Sequence, residues 1–577
     1  MRKAQRADAR VKPVAGDSAE SSTIRVQILP AKRSVEVPFR TPVGDILPAK
    51  SGRLPVVAAL VNNEPVSLAT PLSTNATAAP LTIARTNGWL AFRRTMCLLL
   101  SMAGRRALRG VHLRVRFTLG RGVFAAVRDS FDAPERPMTA REAAAVEAEV
   151  RKLVAADLPI EEIPFAYGEA VELFEAEGQR DQTGILRHVN KPRVLLQHCD
   201  GFFSLHQGPM LPRTGMARPL AFLPYEGGLV LQGPDSGSPA RPAPFRPQPG
   251  LMGIRAEHAK WGDIVGIHTV GDLNAAIAER RIRRVMEMSE ALHEQTFAAM
   301  AAAIADRSPR PRLVLIAGPS SAGKTTSCKR LGVHLRVKGL EPVLLSTDDY
   351  FVAEEDDPIG PDGKPDYEDI RAVDVAGLRK DLATLLAGGT IRRRVFDFIA
   401  KKPAWTDETL TLGPNDVLCM EGIHGLNPIL TEGIDRSRKF LIYLSAITQL
   451  GIDDSNLLST TDNRLIRRLV RDANFRGHDA RRTLSLWPSV RRGEEKWIFP
   501  FQDEADVSFN SALDYELSVL KPYAENLLAE VKPSDPEYSI ARRLAGVLRN
   551  FHAIPSTDVP ANSILREYIG GSSFEGD

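Results

Sequence analysis

Apolar and polar side chains alternate in short runs from about Thr23 to Ile83. TIRVQIL and SVEVPF both read as strands with one buried and one wet face. PVVAALVNNEPVSL follows, with Asn-Asn placed to turn the chain between two further runs. LAFRRTMCLLLSMAGRRAL then spaces its apolar residues for a helix. A mixed α/β region continues to about Gly233. There GPDSGSPARPAPFRPQPG is too dense in Pro, Gly and Ser to build a core and is expected to be a linker or long surface loop. Helical spacing returns in LNAAIAERRIRRVMEMSEALHEQTFAAMAAAIADR. From Pro311 the pattern changes again. RLVLIAG, EPVLLST, DVLCMEG and KFLIYLS are apolar throughout, which suits strands of a parallel sheet covered on both faces. The expectation is a three-layer α/β domain over 311–577 behind a helical connector at 266–310. Ahead of these come a tail at 1–22, a small β module at 23–86 and an α+β module at 87–265, with the Pro-rich loop near 233–250.

Composition narrows the class of protein. A chain of 577 residues is expected to hold two to four domains. Hydrophobic residues make up 43% and charged residues 25%, as in globular proteins, and a net charge of +4 gives no argument for nucleic-acid binding. Cys97, Cys199, Cys328 and Cys419 are too widely spaced for a zinc motif or a disulfide framework, which fits a reducing compartment. The longest apolar run, MCLLLSMA, is far short of the ~20 residues of a membrane-spanning helix. The N-terminus MRKAQRADARVKPVAGDSAESS is charged and has no apolar centre, so a disordered tail and a cytoplasmic location are expected.

The chemistry begins at GPSSAGKT, which fits G-x-x-x-x-G-K-[ST] between an apolar strand and a helix. Backbone N–H groups over Gly318, Pro319, Ser320, Ser321, Ala322 and Gly323 can surround phosphate oxygens, proline excepted because it has no N–H. Lys324 can reach the β- and γ-phosphates, Thr325 can hold Mg²⁺, and Thr326 completes the expected ATP site. The next strand ends in LLSTDDYF, which places Asp348 and Asp349 where open α/β sheets bind ligands. A carboxylate there can take the proton of an attacking hydroxyl, or else cap a turn. Glu421 ends another strand and can hold the metal's water shell; the nearby His424 reads as structural. In NRLIRRLVRDANFRGHDARR, the spacing puts Arg464, Arg468 and Arg471 on one helix face, with Arg467 and Arg476 close by. Such a stripe can neutralise a triphosphate, and after the phosphate loop and two acidic strand ends it reads as a mobile lid. The N-K-x-D signature of guanine-specific switches is missing: NKPR at Asn190 lies upstream of the loop and lacks the aspartate.

In that order, GPSSAGKT, STDDYF, the acidic strand end and R-L-x-R-R-x-x-R-D-x-x-x-R-G resemble the uridine kinase/phosphoribulokinase family. DYEDIRAVDV, FDFIAKK, EGIHGLNPIL, RTLSLWPSVRRGEEKWIFPFQDEADVSFNSALDYEL and NSILREYIGGSSF extend the likeness to a bacterial subgroup of long nucleoside kinase-like proteins, over about Ile282 to Phe574. The resemblance implies a P-loop kinase domain in which Asp348 is the catalytic base and Thr325 and Glu421 serve Mg²⁺. It also implies that Lys324, Arg468 and Arg471 act in catalysis and that Arg476 attends the nucleotide. Asp366 and Glu368 fall where that family contacts ribose hydroxyls, and Phe396, Asp397 and Phe398 fall near its nucleobase pocket. Two departures point away from uridine itself as acceptor. His478 replaces a lid arginine, and about Lys401 the family's pyrimidine-reading histidine is absent.

The front half is similar to threonyl-tRNA synthetase, on VVAALVNNEPVSL, FTLGRGVF and QGPMLPRTG. That likeness implies a β-grasp module followed by an α+β editing-type module. The editing module's zinc positions correspond to Arg94, Leu98, His206 and Met210; one ligand in four cannot hold zinc. The fold without its metal chemistry is therefore expected, serving RNA, a small ligand or only the kinase half. Three functional readings stand at this point. The first is ATP- and Mg²⁺-dependent phosphorylation of a nucleoside 5′-hydroxyl. The second is a phosphoribulokinase-like activity on a sugar phosphate, and the third a nucleotide-binding regulator associated with RNA or the ribosome.

Overall fold

The alternating run Thr23–Ile28 pairs antiparallel with Arg33–Pro38 and parallel with Ala76–Thr82, and the latter pairs antiparallel with Leu54–Val61. Ile24 and Val26 point into a small core with Val43, Ala59 and Leu72. Asn62 and Asn63 turn the chain at φ 49° and 63°, a left-handed conformation that asparagine tolerates. With the four-residue helix Val43–Ile46 this is a β-grasp arrangement. The computed structural model describes residues 23–361, 363–397 and 400–574; the expected tail at 1–22 and the site candidate Phe398 lie outside the described residues.

The predicted helix spans Thr86–Ala107 and buries Phe92, Met96 and Leu99 against an antiparallel sheet. That sheet runs Ala221–Tyr225, Gly228–Gln232, Gly122–Arg128, His112–Leu119 in spatial order. Helix Ala140–Ala156 packs beside Thr86–Ala107 in the same core and starts at a capping box of Thr139 and Glu142. A second antiparallel sheet joins Glu161–Ala166, Arg193–Cys199 and Phe202–Leu205. The Pro-rich stretch has no helix or strand before Pro249, but it is not a free linker. Phe245 packs on Tyr225 at 5.1 Å between ring centroids, and Ala243 is buried. A helix over Pro249–Val265, which the sequence pattern does not announce, follows directly.

The helical stretch before Pro311 is two helices, Val270–Ala278 and Ile282–Asp306, broken at Arg280 with φ 61°. The second helix buries Phe297 and Met300 in the same core as Val314 and Ile316. The four predicted strands are Leu313–Ala317, Glu341–Ser346, Asp416–Gly422 and Lys439–Ser445, and Val507–Asn510 adds a fifth. All pair in parallel, in the order Glu341–Ser346, Asp416–Gly422, Leu313–Ala317, Lys439–Ser445, Val507–Asn510. Leu313–Ala317 sits in the centre and is buried along its whole length. Each such Val, Leu or Ile contributes about 1.5–3 kcal/mol by leaving water. The chain leaves Leu313–Ala317 toward Glu341–Ser346 but leaves its neighbour Lys439–Ser445 toward Val507–Asn510 on the other side, so the loop after Ala317 opens at the switch point where such sheets bind ligands. An antiparallel ribbon, Thr390–Asp397 with Lys402–Thr411, stands beside the sheet.

Candidate phosphoryl-transfer site

The phosphate loop is held from behind. Arg464 donates to the Ser320 carbonyl at 3.0 and 3.1 Å, Tyr568 Oη to the Ser321 carbonyl at 3.1 Å, and Ser511 Oγ to the Ala322 carbonyl at 2.5 Å. Carbonyl oxygens so engaged cannot turn toward an anion. Gly323 begins helix Lys324–Val337 at φ 83°, a conformation that favours glycine. Lys324 Nζ lies 3.4 Å from the Pro319 carbonyl, and the Thr326 N–H donates to Glu567 at 3.2 Å.

Parallel register sets Ser346 opposite Glu421. Glu421 Oε1 accepts from the Ser346 hydroxyl at 3.1 Å and from Thr325 Oγ1 at 3.4 Å, while the Asp348 N–H donates to Ser346 Oγ at 3.2 Å. Burial, with the negative charge of Asp348, pushes Glu421 up to about 7, and Lys324 opposes the rise. Two carboxylates and two hydroxyls of this kind are hard oxygen donors that fit Mg²⁺. Asp349 takes the other of the two alternatives that its pattern left open. It accepts the backbone N–H groups of Ser346 and Phe396 and so ties the ribbon to the strand end.

Asp366 accepts the Glu368 N–H at 3.3 Å and lies 3.4 Å from Ser489 Oγ. Glu368 is pushed up to about 7 by burial, and the charges of Arg468, Lys324 and Asp348 all reach it. Its Oε2 has no hydrogen-bond partner among the described residues. Gly493 allows helix Ala480–Trp497 to pass there: a Cβ would stand 2.2 Å from that of Glu368. Phe396 meets Phe351 edge-on at 5.6 Å, and Asp397 accepts the Ala400 N–H at 2.9 Å. Sequence reasoning thus finds Lys324, Asp348, Glu368, Glu421, Arg468 and Arg476 within one electrostatic neighbourhood. Phe396 and Asp397 belong to the ribbon at its edge.

The arginine helix corrects one expectation. Thr460–Phe475 stands packed against its surroundings: from Asp462 to Val470 every residue is buried. Arg464 does not face a phosphate; it pairs with the buried Glu494, which also accepts the Ser320 N–H at 3.3 Å. Arg464 and Arg491 hold Glu494 below the usual carboxylate range despite its burial. Arg467, fully buried, pairs with Glu516. Only the last turn reaches the surface. Arg468 donates to Ser320 Oγ at 2.8 Å and to Asp472 at 3.2 Å, and Arg471 donates to Asp472 at 2.8 and 3.0 Å. Asp472 is also approached by Arg476 at 3.9 Å and by His478 Nδ1 at 3.8 Å. Asp472 is fully buried, and its arginines keep it below the carboxylate range. Arg468 also approaches Glu368 at 3.9 Å, so two carboxylates face the three guanidinium groups and the excess beside the phosphate loop is positive. Asp472, Glu494 and Glu567 were missed by sequence reasoning; GEEKW and REYIGG carry no local cue to the loop they support. His424 is buried, and burial pushes it down to about 4, in keeping with a structural role. Lys401 is engaged with Glu354.

Among the described residues no helix is long and apolar enough to cross a membrane, and no cluster of His, Cys, Asp or Glu stands ready to hold a metal through three or more such side chains. Residues 313–518 match the family described as Phosphoribulokinase / Uridine kinase family. A uridine kinase of Ligilactobacillus salivarius is 27% identical over 206 residues, which cover 35% of this chain and 87% of that enzyme. Uridine-cytidine kinase 2-B of Danio rerio is 25% identical, over 34% of this chain and 72% of its own length. A threonine–tRNA ligase of Nitratidesulfovibrio vulgaris is 32% identical over 112 residues, and there the chain spans only 17% of the ligase. By sequence, then, residues 313–518 are similar to the Phosphoribulokinase / Uridine kinase family, and the chain also carries a stretch similar to part of threonine–tRNA ligases.

Proposed function

We propose that the protein transfers the γ-phosphoryl group of ATP to a sugar hydroxyl, the 5′-hydroxyl of a nucleoside being the first choice of acceptor. The observation that carries this reading is the convergence of Lys324, Asp348, Glu421 and Arg468 on one end of the parallel sheet. The loop amides and Lys324 would bind the β- and γ-phosphates. Thr325 and Glu421 would hold Mg²⁺, which when bound neutralises phosphate charge. Asp348 would accept the proton of the acceptor hydroxyl as its oxygen attacks the γ-phosphorus, with ADP leaving. Arg468, Arg471 and Arg476 would stabilise the charge on the group in flight. Asp366 and Glu368 would orient the sugar hydroxyls, and the Phe396 side of the ribbon would face the remainder of the acceptor.

A sugar phosphate is the second choice, because Lys401 and His478 stand where the resemblance expects a pyrimidine-reading histidine and a lid arginine. ADP release measured with uridine, cytidine, other nucleosides and ribulose 5-phosphate separates the two. The control is Asp348→Asn, which should stop transfer and keep ATP binding. Turnover close to that of the unaltered chain in this variant would remove Asp348 from the chemistry. ATP binding with no turnover on any acceptor would favour the regulator reading.

A further inference from the structure

A cavity of about 540 Å³ opens where the front region meets the kinase region, lined by helix Thr86–Ala107, segments 185–195 and 205–209, the 452–459 loop and helix Tyr538–Leu548. Its charge is one-sided. Arg542 pairs with Glu64 at 3.0 Å, and Arg543 pairs with Asp462. Arg93, Arg94, Lys191, Arg193 and Arg549 also line it; among the described residues none of them makes an ion pair within 4 Å, although Asp462 attracts Arg93 and Arg94 from farther off. Arg94 finds only the Pro209 carbonyl at 3.3 Å, and Arg549 only the Ala545 carbonyl of its own helix. Arg93 and Arg94 are half-buried inside; Lys191, Arg193 and Arg549 are exposed on the rim. Burial and the neighbouring charges of Arg93 and Arg543 push Arg94 down to about 9, outweighing the opposing pull of Asp462. The floor is Ser459 and Asp462, the N-terminal end of the helix whose other end carries Arg476.

We propose that this cavity is a second ligand site, separate from the phosphate loop, for a small molecule bearing two phosphate groups. Guanidinium groups bind phosphate bidentately, and several unpaired ones in a concavity attract more than one. The volume suits a small molecule, for which sites run about 300–1,000 Å³. Leu90, Ile185, Leu205 and Leu457 form an apolar wall for the body between or beside the phosphates. No Phe, Tyr or Trp belongs to its described lining, so it lacks the stacking platform on which single-stranded RNA binds.

The test is calorimetric titration of the full chain with inorganic pyrophosphate, in Lys324→Ala to disable the phosphate loop. One binding event per chain is expected there. Adding Arg93→Gln and Arg549→Gln should weaken it about tenfold or more, with kinase turnover of the Arg93→Gln/Arg549→Gln chain alone unchanged as the check on folding. Parallel titrations with a sugar bisphosphate and a nucleoside diphosphate name the body: tighter binding of either supports the site. The absence of any pyrophosphate site in Lys324→Ala overturns the proposal. So does binding indifferent to Arg93 and Arg549, or saturation by a short single-stranded RNA when no small anion binds.

Discussion

Two basic clusters sit at opposite ends of helix Thr460–Phe475 and are built differently. At the C-terminal end, Arg468, Arg471 and Arg476 share the fully buried Asp472, which fixes where their guanidinium groups stand. At the N-terminal end, most cations around the cavity lack a carboxylate, and its two ion pairs involve Glu64 and Asp462. A count of arginines would equate the two. The difference is that a buried carboxylate pre-pays the ordering of its arginines, which suits a group that is charged only in flight. Unpaired rim cations suit an anion that binds and stays. Between the two ends, Arg464 and Arg467 are scaffold, each neutralised by a buried glutamate.

The largest expected effect tests whether the chemistry belongs to the C-terminal end alone. Asp348→Asn should lower kcat by roughly 10²–10⁴-fold while ATP binding, read by calorimetry, stays within a factor of a few. Next comes the scaffold. Glu516→Ala strands the buried Arg467 and should destabilise the fold by about 3–5 kcal/mol in denaturant unfolding. Should that variant instead keep its stability and lose only turnover, Arg467 would join the working arginines. Asp472→Asn keeps size and hydrogen-bonding shape but frees three guanidinium groups; kcat should fall about 10²-fold, more than KM changes.

A smaller effect follows from pH. Glu421 in the folded chain keeps a proton up to about 7, above its ordinary value of 4.5. Between those values the folded chain binds more protons than the unfolded one, so this group's contribution to stability falls as pH rises through the window. Mg²⁺ must displace the proton, so the Mg²⁺ concentration for half-maximal turnover should rise by up to about tenfold per unit as pH drops below 7. Glu421→Gln should abolish that slope. Smallest is Glu64→Gln, whose pair with Arg542 is half-exposed; stability should change by less than about 1 kcal/mol. A large loss there would mean that the cavity's ion pairs lock the two regions together as firmly as the buried pairs do.

Local pattern was enough for much of the fold. Period-two runs gave Thr23–Ile28 and Arg33–Pro38, Asn62-Asn63 gave the turn, and continuous apolar runs gave four of the five parallel strands. The fifth, Val507–Asn510, is short and only half apolar, and helix Pro249–Val265 hides behind a Pro-rich approach. In the site, GPSSAGKT, Asp348 and Glu421 were legible because strand ends and a glycine loop place them by covalent connection alone.

By itself, then, the sequence determined which strands and helices form, where the phosphate loop lies and which acids end the neighbouring strands, since these depend on residues close together in the chain. The tertiary structure alone decided which arginines work and which brace. Helical spacing puts Arg464 and Arg467 beside Arg468 and Arg471, but Glu494 stands 30 residues beyond Arg464 and Glu516 stands 49 beyond Arg467. Glu567, which takes the Thr326 N–H, comes from 241 residues away. Whether a cation is neutralised depends on what the fold brings opposite it, and no window of sequence contains that.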